Sequence, residues 1–239
     1  MKAIVLCAGP GTRMRPLTNT TPKCMLPVGG KPLLHHTLER LAEAGVTDVA
    51  INLHHLPKAI VHDIKRGWQF DLRVTYSYER ELLGTAGAIK RLAWWLDEEP
   101  FFVVYGDEWT TIDFARLWAE HVTYRPEAKV TAVVHWVDTC AGRNCVDLAM
   151  LYSVVTRVMP KHHWPDHGGW ALSGIYVLDR LCAHIIPEPG AYDIETHMLP
   201  SMIDNQYLVQ PYRVDPILAI DIGKPEGYAR ACALAGPSW

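Results

Sequence analysis

Short apolar runs alternate with helix-period segments through the first 107 residues, and no other feature restricts the fold as much. Residues 2–7 (KAIVLC) are apolar, partly β-branched and stopped by Gly9, as a buried parallel strand would be. In KPLLHHTLERLAEAG, Pro32 marks a helix start, Leu34, Leu38 and Leu41 recur on one face, and Gly45 ends it. VTDVAINLH predicts a second strand and LPKAIVHDIKRG a helix opened by Pro57. FDLRVTYSYE predicts a third strand, GTAGAIKRLAWWL a helix, and PFFVVYGD a fourth strand closing on Asp107. That order implies an α/β fold with a doubly wound, Rossmann-like sheet. The second half is less regular. AKVTAVVHWV, YLVQPYRV and ILAIDIG read as strands, and MLYSVVTRVM as a hairpin or strand pair. GWALSGIYVLD reads as a strand leading into a short helix, and KPEGYARACALAG as a closing helix. Without a linker, repeat or low-complexity stretch, residues 1–239 are expected to form one domain.

Composition narrows the function classes. At 239 residues the chain can bury a substantial core, and a net charge of −3 supplies no basic field for nucleic acid. No apolar run is long enough for a membrane span, and no export signal follows Lys2, so a cytoplasmic protein is expected. The six cysteines then read as reduced thiols; Cys140 and Cys145 lack the second pair that a zinc site needs. KHHWPDH, with His162, His163 and His167, reads as a polar loop rather than a metal site, and Trp94-Trp95 as helix packing.

After the first strand comes GPGTRMRPLTNTTPK, residues 9–23. Backbone N–H groups in such a turn can converge on phosphate, and glycine permits close approach. The spacing fits neither a Walker A loop, which closes on Gly-Lys-Ser/Thr, nor a dinucleotide fingerprint, which needs a third glycine and an immediate helix. Arg13, Arg15 and Lys23 add the fixed positive charge that a triphosphate requires. From these residues alone, a solvated basic loop stays open as the alternative.

LCAGPGTRMRPLTNTTPKCMLPVGGKPLL resembles the signature of the sugar-1-phosphate nucleotidylyltransferases: L-x-A-G-x-G-T-R-x-x-P-L-T, then P-K-x-M-x-P-V, then G-K-P. YSYERELLGTAGAIK, FFVVYGDEWTTIDF, LSGIYVLD and AIDIGKPEGYARA are similar, in order, to the family's base, metal, sugar and closing segments. The nearest subgroups are the mannose- and heptose-1-phosphate guanylyltransferases and the N-acetylmuramate-1-phosphate uridylyltransferases. The resemblance implies a GT-A-like, three-layer α/β/α sandwich with a mixed, mostly parallel sheet. Residues 1–110 would be the nucleotide half and 111–239 the sugar-phosphate half, with no C-terminal left-handed β-helix.

The implied reaction is attack of a sugar 1-phosphate on the α-phosphorus of a nucleoside triphosphate, with pyrophosphate leaving. The nucleophile is already an anion, so the site must gather charge rather than supply a base. The resemblance assigns Arg13 to the leaving pyrophosphate, Lys23 to the α-phosphate and sugar phosphate, and Asp107 with Asp221 to Mg²⁺. Leu6, Ala8, Gly9, Gly11, Thr12, Arg13, Gly84 and Thr85 would contact the nucleotide. Glu79 stands where relatives place Gln or Glu. A carboxylate accepts both the N1–H and N2–H of guanine, which favours GTP, unless backbone at Leu83–Gly84 reads the base. Lys161, Gly174, Asp193 and Glu195 would bind the sugar phosphate; the two carboxylates also read as helix-start residues. Tyr105 replaces a common Asn, and Pro160 and His162 flank Lys161 where relatives carry Glu and Pro.

The expected partners are a nucleoside triphosphate, GTP first, and a mannose- or heptose-like sugar 1-phosphate, handled by a monomer or homodimer. Rival readings are UTP-dependent transfer to an amino-sugar 1-phosphate, cytidylyl transfer to a non-sugar phosphate, and a non-catalytic nucleotide sensor. The sensor predicts loss of the basic loop residues or metal carboxylates, and all four of Arg13, Lys23, Asp107 and Asp221 are present.

Overall fold

A computed structural model describes residues 1–149, 154–159, 167–187, 190–216 and 218–236. The strands are β1 (Lys2–Leu6), β2 (Pro27–Val28), β3 (Lys31–Pro32), β4 (Asp48–Leu53), β5 (Arg73–Tyr78), β6 (Phe101–Tyr105) and β7 (Glu108–Thr110). They continue as β8 (Val130–Val137), β9 (Cys145–Ala149), β10 (Val154–Met159), β11 (Gly169–Leu178), β12 (Val209–Val214) and β13 (Ala219–Asp221). The α-helices are α1 (Leu33–Glu43), α2 (Pro57–Ile64), α3 (Gly84–Arg91), α4 (Phe114–Ala119), α5 (Leu181–Ile185), α6 (Leu199–Asp204) and α7 (Pro225–Ala235). The expected α/β class with a mixed sheet holds.

The chain divides into two compact units whose borders interleave in sequence. The first holds residues 1–82, 104–114 and 218–239; the second holds 83–103 and 115–217.

In the first unit β4 pairs parallel with both β1 and β5. Ala3, Ile4 and Val5 are fully buried, as are Leu33, Leu34, Leu38 and Leu41 of α1. The continuous apolar strand and the one-sided helix behave as their patterns require. β13 pairs antiparallel with the short β7, which follows the turn at Gly106-Asp107. In the second unit β11 pairs antiparallel with β8 and β9, β9 with β10, and β12 runs parallel to β8. β2, β3, β7 and β9 have no counterpart among the strands predicted from sequence; β2 and β3 are two residues each and β7 three, and CVDLA of β9 lacks the longer apolar run that marked β1 and β6.

Two sequence expectations are overturned here. Trp94 lies in a 3-10 turn with 77% of its surface exposed, since α3 stops at Arg91 and the helical face expected to bury it does not extend that far. Cys140 and Cys145 are not reduced thiols: they form a disulfide, their Cα atoms brought to 6.3 Å by a tight turn. Residues 150–153, which open MLYSVVTRVM, and Lys161, His162 and His163 lie outside the described residues.

Candidate active site

The loop after β1 is held from beneath. Met14 is buried beside Leu26, Leu33, Trp109 and Ile222, while Arg13 and Arg15 on either side stay exposed. Gly11 has φ 61°, and its carbonyl accepts the Met14 N–H at 2.9 Å and the Thr18 hydroxyl at 2.8 Å. The His55 ring in turn bonds the Thr18 carbonyl at 3.0 Å. A Cβ on Gly11 would lie 3.0 Å from Thr18 Cγ2 and 3.2 Å from Lys23 Cβ. A Cβ on Gly9 would meet nothing within 4 Å. The fold therefore demands glycine at 11, whereas at 9 the missing side chain leaves open space along the backbone, as a phosphate needs.

The chain enters this loop under a second restraint. Cys7 donates its N–H to Asn52 Oδ1 at 2.7 Å, and Asn52 Nδ2 donates to Glu79 Oε1 at 2.9 Å. His54 Nδ1 bonds the Glu79 carbonyl at 2.9 Å. Glu79, the residue expected to read the base, is 1% exposed. The carboxylate turns inward because Asn52, on the neighbouring strand, supplies a buried donor there.

Arg13, Lys23, Asp107 and Asp221 converge. Lys23 Nζ donates to Asp107 Oδ2. The Asp107 carbonyl accepts the Ile222 N–H at 2.9 Å, which sets Asp107 beside Asp221 across the β7–β13 ladder. A Cβ on Gly223 would lie 2.6 Å from Asp221 Oδ1 and 2.8 Å from Arg13 Nη2, so carboxylate and guanidinium meet over that glycine. Burial pushes the Asp221 carboxyl above its usual range, and the Asp107 charge adds to this; Lys23, the Gly223 N–H and Arg13 oppose without reversing it. Burial pulls the Lys23 ammonium down, but the charge and hydrogen bond of Asp107, followed by the charge of Asp221, leave it raised. Two carboxylates this close at strand ends fit a hard cation such as Mg²⁺, which takes one or two carboxylates and completes its shell with water and phosphate oxygens. Lys23 bears three N–H donors, so a bond to Asp107 is compatible with phosphate contact. The glycine of YGD has its own reason: a Cβ on Gly106 would lie 2.6 Å from Cys7 Sγ and 2.9 Å from the Leu6 carbonyl.

In the second unit Thr85 and Asp193 are bonded to each other. Asp193 Oδ1 accepts the Thr85 N–H at 3.0 Å and the Thr85 hydroxyl at 3.3 Å, and that hydroxyl accepts the Ile194 N–H at 2.8 Å. The Tyr192 carbonyl accepts the N–H groups of Ala86 and Gly87 at 2.8 and 3.0 Å. The protein's own carboxylate and carbonyl thus cap the start of α3, and Thr85 and Asp193 are held against each other there. Gly84, at φ 72°, is required because a Cβ there would run into the Tyr192 carbonyl.

Glu195 is placed differently. Its Oε1 accepts the Tyr176 hydroxyl at 2.8 Å, and its Oε2 accepts from Asn144 Nδ2. Gly174, at φ 65°, sits where the β11–β8 register shifts, a bulge that re-aims Tyr176. Asn52, His55, Asn144 and Tyr176 were not singled out from sequence; in isolation they resemble any Asn, His or Tyr on a strand or loop.

The model of the family "Nucleotidyl transferase" matches residues 2–235. The chain belongs to that family. It is 32% identical to the mannose-1-phosphate guanyltransferase of Schizosaccharomyces pombe over 98% of this chain and 64% of the relative. It is also 32% identical to the mannose-1-phosphate guanylyltransferase of Mycobacterium tuberculosis, over 97% and 63%. The chain therefore spans less than two thirds of the length of these curated relatives. HddC from Yersinia pseudotuberculosis shares its fold with a TM-score of 0.82 at 24% identity, covering 98% of this chain and 99% of HddC. A putative glucose-1-phosphate thymidylyltransferase from Bacillus anthracis does so with a TM-score of 0.86 at 23% identity, covering 98% and 95%. No helix among the described residues is long and apolar enough to cross a membrane.

Proposed function

We propose that the protein transfers a nucleotidyl group from GTP to mannose 1-phosphate or a related sugar 1-phosphate, releasing pyrophosphate. The observation that carries this reading is the convergence of Arg13, Lys23, Asp107 and Asp221 beside a glycine loop with open space at Gly9. Arg13 neutralises the departing pyrophosphate, and Lys23 bridges Asp107 and the phosphate that stays. Asp107 and Asp221 hold Mg²⁺, which when bound supplies charge neutralisation to the α-phosphate. Gly9, Gly11 and Thr12 offer backbone to the phosphates, and Leu6 and Ala8 line the approach from β1. Glu195 receives hydroxyls of the sugar. The preference for guanine and for mannose rests on the names of the relatives at 32% identity.

Pyrophosphate release should be measured for each of GTP, UTP, dTTP, CTP and ATP against a panel of sugar 1-phosphates with Mg²⁺. Turnover should be highest with GTP and mannose 1-phosphate. A clear preference for UTP with an amino-sugar 1-phosphate would overturn the substrate assignment. Turnover with no pair would overturn the reaction itself. Asp107→Asn should lower kcat by about a thousandfold or more, since it removes charge from a metal carboxylate.

A further inference from the structure

Glu195 is gripped on both oxygens: Tyr176 donates to Oε1 and Asn144 to Oε2. One donor would leave the carboxylate free to swing about its last torsion; two fix its plane. The two donors have separate supports. Tyr176 is fully buried on β11, two residues past the bulge at Gly174. Asn144 lies in the turn between β8 and β9, and that turn is tied at three points. The Cys140–Cys145 disulfide closes its base. Within it the Arg143 N–H donates to the Cys140 carbonyl at 3.0 Å. The Asn144 carbonyl accepts the Leu172 N–H at 3.0 Å, which fastens the turn to β11.

Ala141, Gly142 and Arg143 at the tip are exposed, but both cysteines are fully buried beside Ala171. The constraint therefore lies at the foot of the turn, next to Asn144, and not at its tip. A carboxylate has about four lone-pair sites, so holding these two donors is compatible with accepting hydroxyl groups of a sugar.

We infer that Asn144 is a positioning residue: held by the disulfide-closed turn, it aims the Glu195 carboxylate at the hydroxyl groups of the sugar 1-phosphate. This rests on the reading of Glu195 as a sugar-binding residue. The test is a double-mutant cycle on the full chain, with KM for the sugar 1-phosphate and for GTP measured separately. Glu195→Ala should raise KM for the sugar 1-phosphate and leave KM for GTP within about twofold. Asn144→Ala should raise the same KM by about tenfold, the effect of losing one hydrogen bond to a charged group. In the Glu195→Ala background, Asn144→Ala should change nothing further, because its effect passes through the missing carboxylate. Asn144→Gln, which keeps the amide donor, should recover part of the loss.

If Glu195→Ala raises KM for the sugar but Asn144→Ala does not, the positioning role is wrong and the sugar site stands. The positioning role is equally wrong if Asn144→Ala is fully additive with Glu195→Ala. If Glu195→Ala itself leaves that KM unchanged, both the role and the reading beneath it fail. Circular dichroism and a urea midpoint within error of the parent show that each variant is folded.

Discussion

A Cβ at Gly11 collides with Thr18 and Lys23 on a backbone at φ 61°, whereas a Cβ at Gly9 enters open space. Two glycines of one motif therefore answer to different demands. Gly11→Ala should cost about 1–3 kcal/mol of stability, from left-handed strain and crowding, measurable as a lower urea midpoint. Gly9→Ala should leave that midpoint nearly unchanged and instead raise KM for GTP by about tenfold or more, because the added methyl occupies the space of a phosphate contact. Equal stability losses in the two variants would contradict this division. The loop was legible in the sequence because its glycines and cations are close together along the chain. Which glycine served the fold and which the ligand was not, since that depends on Thr18 and Lys23 folding back over position 11.

At the scale of elements, two polar ties hold β1 and α3 in place. Asn52 joins three strands: it accepts from Cys7 at the end of β1 and donates to Glu79 just beyond β5. Asn52→Leu removes both bonds and takes a donor from a buried carboxylate, so unfolding free energy should fall by about 2–4 kcal/mol in urea denaturation. Asp193→Ala deletes the side-chain acceptor at the start of α3 and should cost about 1 kcal/mol. Because Asp193 is engaged with Thr85, this variant should keep KM for the sugar 1-phosphate within about twofold. A tenfold rise would return Asp193 to the sugar site. Element order and most boundaries followed from periodicity; the caps did not, because α3 is capped by a residue more than a hundred positions away.

For the molecule as a whole, one buried histidine links stability to pH. Burial pulls His121 from 6.5 down to about 4; the Asp179 charge opposes this and the Lys129 charge reinforces it. His121 is 2% exposed and its Nδ1 bonds the Thr131 hydroxyl at 2.9 Å. Unfolded chains take up that proton near pH 6.5, folded ones only near 4, so between these values the unfolded state binds more protons. Stability should therefore fall as pH drops from 6.5 to 4, by about 3 kcal/mol from this group, and level off below. His121→Asn should flatten that slope; an unchanged slope would assign it to other groups.

Sequence by itself determined the α/β class and marked the glycine loop and the four charges Arg13, Lys23, Asp107 and Asp221 that the fold brings together. Each is written in a local pattern: a period, a glycine, or a charge at a strand end. Only the tertiary structure turned Glu79 inward, made Asp193 a cap, joined Cys140 to Cys145 and set Asn144 on Glu195. The Asn144–Glu195 bond spans 51 positions and the Asp193–Thr85 bond 108, and a polar side chain takes its role from whatever donor the fold brings to it.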